Sequence, residues 1–140
     1  MVSLIVFEKN LTKAKSKISY KGILEPKGNS IYEILSNYDL MVFLTYYQGE
    51  GFPGALLDSY ISGVPVIASD WKYNSEIIKE GETGKLFISQ DIDDLTDKLE
   101  FMINNPDLIY QMKRNCLEEA RKYNADFVID SFIKDMMLQL

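Results

Sequence analysis

The 140-residue chain has no histidine and a single cysteine, Cys116. Without imidazole it lacks the side chain that most often serves as general base or metal ligand near neutral pH. One thiol allows no internal disulfide, and no Cys/His set exists for a tetrahedral zinc site. No apolar run approaches the ~18 residues of a membrane span. The start, Met1 to Lys9, has neither a basic leading segment nor an apolar stretch of signal-peptide length. Cationic charge is short as well: 15 Lys and Arg face 21 Asp and Glu, for a net charge of −6. That balance argues against a nucleic-acid backbone as partner, which calls for clustered Lys and Arg. Lys13, Lys15, Lys17 and Lys21 form a local basic stretch that reads as a solvated face. These absences leave the cytoplasm as the expected address and Cys116, inside a helical pattern, as a small buried hydrophobe.

What is present suits a soluble protein with a real core: 46% of residues are apolar and 26% charged. There is no internal repeat and no low-complexity linker, so residues 1–140 read as a single domain. Continuous apolar runs predict strands over 4–7, 18–24, 40–45, 64–69 and 85–89. Helices are expected after Asn29 or Ser30 with Ile31, Ile34 and Leu35 on one face, from Pro53 to about Gly63, and over 74–80. Further helices run from the cap Asp91 to Asn104, from Pro106 to Tyr123, and from Ala125 or Asp126 to the end. Strands that are apolar throughout and alternate with helices indicate a parallel sheet covered on both faces. The fold class is therefore α/β: three layers, a Rossmann-like parallel sheet of about five strands, and a helical C-terminal tail.

The richest stretch is Gly49-Glu50-Gly51-Phe52-Pro53-Gly54-Ala55-Leu56-Leu57-Asp58. It leaves one apolar strand and opens a helix that returns to the next. In open parallel sheets, ligands bind beyond the carboxyl ends of the strands. Gly49, Gly51 and Gly54 let backbone approach a ligand. Pro53 suits the first helical turn and donates nothing, so Gly54 and Ala55 would offer their N–H groups to a phosphate at the positive end of the helix. Glu50 would sit at the mouth of this turn. Asp58 would lie about 7 to 8 Å further along the helix axis, flanked by Leu57 and Ile61, which read as buried. Phosphates would then lie between two carboxylates that accept hydrogen bonds from hydroxyls, an arrangement suited to a sugar nucleotide. The plainer alternatives are that Glu50 is a solvated loop acid and Asp58 an exposed helix acid. Asp70 fits a turn or capping role. Tyr46, Tyr47 and Trp71 could stack on a base but fit wall packing better.

Several linked motifs carry a resemblance: Glu50-Gly51-Phe52-Pro53 through Asp58, then Gly63-Val64-Pro65-Val66-Ile67-Ala68, then Glu76-Ile77-Ile78, and Thr83-Gly84-Lys85-Leu86-Phe87. In order and spacing they resemble the C-terminal, donor-binding domain of retaining glycosyltransferases of the GT-B fold, the "glycosyl transferases group 1" or family-4 type, over roughly residues 18–123. The resemblance implies transfer of a sugar from a nucleoside-diphosphate sugar, UDP- or GDP-linked, to an acceptor hydroxyl with retention. A role in bacterial cell-surface polysaccharide or glycolipid synthesis follows at family level, with no metal or other cofactor. Glu50, the first acid of the family's E-x7-E motif and its catalytic-site acid, would hold the donor sugar. Asp58 stands where the second acid binds ribose, one methylene shorter than the family's Glu. Backbone at Gly51, Phe52, Gly54 and Ala55 would hold sugar and diphosphate. The loop including Gly22, Ile23 and Leu24 would frame the nucleobase.

The family's C-terminal domain opens with a strand carrying a glycine-arginine stretch and a nearby lysine, and this chain begins after that unit. The acceptor-binding N-terminal domain is not in it either, so the chain alone is expected to be inactive and, in the complete enzyme, peripheral to the inner face of the membrane. Lacking its central strand, the sheet would be closed by another strand, by a second copy of the chain, or would be marginally stable. The last helix, with Phe127, Ile129, Phe132, Ile133, Met136 and Met137, resembles the one that packs toward the missing domain; left bare, it favours a homodimer. The alternative reading is a non-catalytic nucleotide-sugar-binding or protein-interaction module.

Overall fold

The computed structural model describes residues 4–7 and 30–138. In chain order its elements are β1 (Leu4–Phe7), α1 (Ser30–Leu35), β2 (Leu40–Phe43), α2 (Gly54–Ile61), β3 (Val66–Asp70), α3 (Asn74–Ile77), β4 (Gly84–Ile88), α4 (Ile92–Asn104), α5 (Pro106–Ala120), a 3-10 turn (Arg121–Tyr123) and α6 (Ala125–Met137). The fifth expected strand, over 18–24, and with it the loop of Gly22, Ile23 and Leu24, lies outside the described residues.

The strands form one sheet in the order β1-β2-β3-β4. β2, β3 and β4 are parallel, with Val42 beside Ile67 and Ile67 beside Lys85. β1 departs from the parallel sheet expected: it runs antiparallel to β2, Leu4 opposite Phe43 and Phe7 opposite Leu40. A four-residue run that is apolar throughout carries no directional signal. What it must satisfy is the row of N–H and C=O groups along the free edge of β2, and an antiparallel neighbour meets them with straighter bonds. Among the described residues, β1 is the strand that borders β2 on the side away from β3.

The core has two parts because the strands are covered on both faces. Met41 and Phe43 of β2 and Val66 and Ala68 of β3 pack with Leu56 and Tyr60 of α2, Ile77 of α3 and Cys116 of α5. The alternate residues Leu40, Ile67 and Phe87 pack with Met102 of α4 and Met112 of α5. This period-two division is what a strand's geometry imposes. α5 contributes to both clusters, and Lys113 fastens it to the start of β2 through the carbonyl of Tyr38 (2.9 Å) and the carboxylate of Asp39 (2.8 Å).

Local chemistry sets most boundaries. Gly63, at φ +66°, closes α2: its N–H bonds to the Tyr60 carbonyl and that of Val64 reaches back to Ser59. This left-handed glycine stop is expected where the last helical carbonyls need donors. Asp91 caps α4, its Oδ1 accepting from the N–H groups of Asp93 and Asp94, both at 3.0 Å. Gly84 is required by a tertiary contact instead. A Cβ there would fall 2.0 Å from the Val66 carbonyl oxygen of the neighbouring strand. α6 buries none of its residues: Phe127, Ile129, Phe132, Ile133, Met136 and Met137 are all exposed, and it rests chiefly on the 3-10 turn before it. No helix of the described residues is long and apolar enough to cross a membrane.

Candidate functional site

The candidate turn leaves the carboxyl end of β2 and opens α2, as the glycine spacing predicts. Pro53, expected in the first helical turn, stands one position earlier: it is the N-cap, at φ −79° and ψ 95°. It supplies no side-chain cap to α2. The Leu56 N–H bonds back to the Pro53 carbonyl at 2.9 Å. Gly54 and Ala55 are therefore left as first-turn donors, with the positive end of the helix behind them. A Cβ at Gly51 or Gly54 would meet no atom of the described residues within 4 Å. Among the described residues these two glycines are uncrowded, which leaves room for a ligand.

Glu50 is held rather than loose. The Thr45 hydroxyl donates to Glu50 Oε2 at 2.7 Å, and the Glu50 N–H bonds to the Tyr47 carbonyl at 3.2 Å. The carboxylate is half-buried, and Oε1 takes no hydrogen bond from the described residues. Thr45 is buried and is itself anchored, its carbonyl accepting the hydroxyl of Ser69 on β3. Nothing in the sequence singles out Thr45. The one available signal is its place, a hydroxyl at the strand end five residues before the acid.

Asp58 lies four residues past Gly54, about 6 Å along the axis of α2. Its carboxylate is half-buried and accepts no hydrogen bond among the described residues. Its expected neighbours are less buried than the sequence pattern suggests. Ile61 is exposed at 39% and Leu57 is half-buried, because α2 turns Leu56, Ser59 and Tyr60 to the core instead. Leu57 and Ile61 line a surface groove with Leu117, Tyr123 and Phe127.

The loop after β3 braces the turn. Trp71 Nε1 donates to the Tyr47 carbonyl at 3.0 Å and Lys72 Nζ to that of Gln48 at 2.8 Å. Lys72 itself sits at φ +51°. Trp71 thus works as wall, whereas Tyr46 and Tyr47 are exposed at 66% and 69%. Asp70 ends β3, exposed. At the far end of α2 from the turn, Tyr60 and Thr83 are buried and their hydroxyls lie 2.7 Å apart. Thr83 also accepts the Lys79 N–H at 3.0 Å. Burial pushes the Tyr60 phenol well above its usual pKa. The Thr83-Gly84 pair is therefore architectural: one residue ends a buried hydroxyl network and the other clears space for β3. A separate cleft beyond the ends of β2, β3 and β4 is lined by Leu44, Thr45, Ser69, Ser89 and Leu95, among others, and not by Glu50, Gly54, Ala55 or Asp58. Among the described residues, the turn and its acids line neither this cleft nor the groove beside Leu57 and Ile61, apart from α2 itself.

Residues 9–123 match the family model "Glycosyl transferases group 1". The chain belongs to this family. Among curated relatives it is 28% identical over 101 residues to the poly(ribitol-phosphate) alpha-N-acetylglucosaminyltransferase of Staphylococcus aureus, covering 71% of this chain and 20% of the relative. It is 24% identical over 106 residues to the N,N'-diacetylbacillosaminyl-diphospho-undecaprenol alpha-1,3-N-acetylgalactosaminyltransferase of Campylobacter jejuni, covering 76% of this chain and 28% of the relative. The fold matches GT-B structures. Anabaena HepE in complex with UDP-glucose superposes with a TM-score of 0.64 at 18% identity, over 79% of this chain and 30% of that one. The chain spans between 20% and 28% of the length of the two curated relatives, and so corresponds to part of a glycosyltransferase of the group.

Proposed function

We propose that the chain supplies the donor-binding part of a hexosyltransferase. That enzyme moves a sugar from a nucleoside-diphosphate sugar, UDP- or GDP-linked, to an acceptor hydroxyl with retention, in bacterial surface polysaccharide or glycolipid synthesis. The observation that carries this reading is one turn that joins a braced acid, two helix N–H groups with no partner among the described residues, and a second acid one helical turn on. Glu50, held through Oε2 by Thr45, turns its other oxygen to hydroxyls of the donor sugar. Gly54 and Ala55 receive the diphosphate at the positive end of α2. Asp58 accepts from the ribose. A hydrogen bond to a charged group contributes about 1.5–3 kcal/mol, so two such acids suffice to select a polyol. The UDP-glucose complex of a protein with the same fold supports a nucleotide sugar as ligand. The acceptor site belongs to a further region, for which the relatives have ample length, and the chain alone does not complete transfer.

A thermal-shift panel of UDP, GDP, ADP and their sugars tests this. A ligand at 100 times its Kd adds about 2.7 kcal/mol, a rise of several degrees. Glu50→Gln should keep the nucleoside-diphosphate increment and lose the part added by the sugar, whereas Asp58→Asn should reduce both. If no member of the panel stabilises a folded sample, the donor-site reading fails and an interaction module becomes the better account.

A further inference from the structure

The segment between Glu50 and Pro53 is held in an unusual way. Neither Gly51 nor Phe52 makes a backbone hydrogen bond to the described residues. A Cβ at Gly51 would touch none of the described residues. Phe52 is 55% exposed, yet its ring packs on Tyr123, with centroids 5.7 Å apart and planes tilted by 52°. The separation is within the range of about 4.5–7 Å that aromatic pairs favour, and the tilt lies between stacked and edge-to-face. Tyr123 comes from a distant part of the chain and is well anchored. It ends the 3-10 turn that continues α5, the helix that buries Met112 and Cys116. The same turn carries Lys122, which pairs with Glu119 at 2.9 Å, and Glu119 also pairs with Lys79 at 2.7 Å. The Tyr123 ring is half-buried, and burial together with the Glu119 carboxylate raises its phenol pKa. The residue after it, Asn124, caps α6 through its side chain, accepting from the Asp126 N–H at 2.9 Å.

We infer that Tyr123 is a positioning residue for the donor turn: its ring buttresses Phe52 and so fixes the path from Glu50 to the N–H groups of Gly54 and Ala55. The inference rests on the donor-site reading only for its consequence in binding; the buttress itself is independent of it. The contact is between the two rings, so the phenol hydroxyl is dispensable. The junction between α5 and α6, more than 60 residues away in sequence, thereby becomes a support of the turn. A ligand that needs the turn in one conformation binds more weakly in proportion to how far the turn is released.

The test uses the full chain with Tyr123→Phe, Tyr123→Ala, Phe52→Ala and the double alanine variant. Amide hydrogen exchange at Glu50 and Leu56, whose N–H groups bond to the Tyr47 and Pro53 carbonyls on either side of the segment, and calorimetric titration with UDP are read on each. Tyr123→Phe should behave as wild type in both. Tyr123→Ala should speed exchange at those amides by about three- to tenfold, the range an aromatic pair supports, and weaken UDP by the same factor. Amides of β2 and β3 should keep their wild-type rates. Adding Tyr123→Ala to Phe52→Ala should produce no further change. Unchanged turn exchange in Tyr123→Ala would overturn the inference. So would a rise spread evenly over β2 and β3, or full additivity with Phe52→Ala. If UDP fails to bind the wild type, the donor reading falls while the exchange data still decide the buttress.

Discussion

Replacing Tyr60 by Phe removes one oxygen from the protein interior and tests the buried network at the end of α2. Tyr60 and Thr83 are both buried, at 0% and 1% exposure. One proton arrangement satisfies every contact: the Lys79 N–H donates to Thr83 Oγ1 (3.0 Å), the Thr83 hydroxyl to the Tyr60 oxygen (2.7 Å), and the Tyr60 hydroxyl to the Ile77 carbonyl (3.3 Å). In Tyr60→Phe the Thr83 proton loses its acceptor, where no water enters. A buried polar group left unpaired costs about 1–3 kcal/mol, so we expect about 2 kcal/mol. For a chain of this length that is a fall of roughly 6–8 °C in Tm. Thr83→Val orphans the half-buried Lys79 N–H but leaves Tyr60 its carbonyl partner, and should cost about 1–2 kcal/mol. The double variant replaces both hydroxyls by apolar groups, so it should cost less than the sum of the two, with a coupling of about 1 kcal/mol. Urea denaturation of the four proteins measures the cycle, with equal m-values as the check on two-state behaviour. A Tyr60→Phe midpoint indistinguishable from wild type, or strict additivity, would refute the network.

Gly84→Ala should cost about 3 kcal/mol or prevent folding, because its Cβ would meet the Val66 carbonyl oxygen at 2.0 Å; a denaturation midpoint near wild type would contradict this. Gly63→Ala should cost about 1–2 kcal/mol for a side chain in the left-handed region, with the Leu117 Cγ at 3.2 Å adding to it, and calorimetry would show the lowered Tm. Partial burial works against the charged form of Glu119, but hydrogen bonds from Lys122 and Lys79 outweigh it and hold the carboxyl below the usual glutamate value. Its stabilisation is therefore present above the unfolded pKa of about 4.3 and is lost as pH falls through the lower, folded value. Glu119→Gln should cost at most about 1 kcal/mol at pH 7 and nothing once the wild-type carboxyl is protonated, as a pH series of melting curves would reveal.

Where local chemistry decides the structure, it was readable in the chain. The strands at 40–43, 66–70 and 84–88, the cap at Asp91 and the glycine stop at Gly63 each follow from a few adjacent residues, as does the turn that puts Glu50, Gly54 and Asp58 on one path. Long-range contacts set the rest. β1 runs antiparallel because the free edge of β2, not its own apolar run, chooses its direction. The sheet region of β3 starts at Val66 rather than at 64, since the Val64 N–H is used in closing α2. Ile61 faces a groove toward α5 and α6 instead of the core, a partner that helical periodicity cannot name. Thr45 and Tyr123 support the turn through contacts visible only once the chain is folded.

The lone thiol has a practical side. Cys116 lies fully buried on α5, at the seam where the helix meets the sheet, with Sγ 3.4 Å from the Thr83 carbonyl. Burial first, and then the Glu119 carboxylate, pushes its pKa up to about 12. At neutral pH the folded molecule keeps this thiol protonated and unreactive. A disulfide reagent therefore reads the moments when α5 lifts from the sheet, and its labelling rate is a clock for opening of the domain that needs no engineered probe.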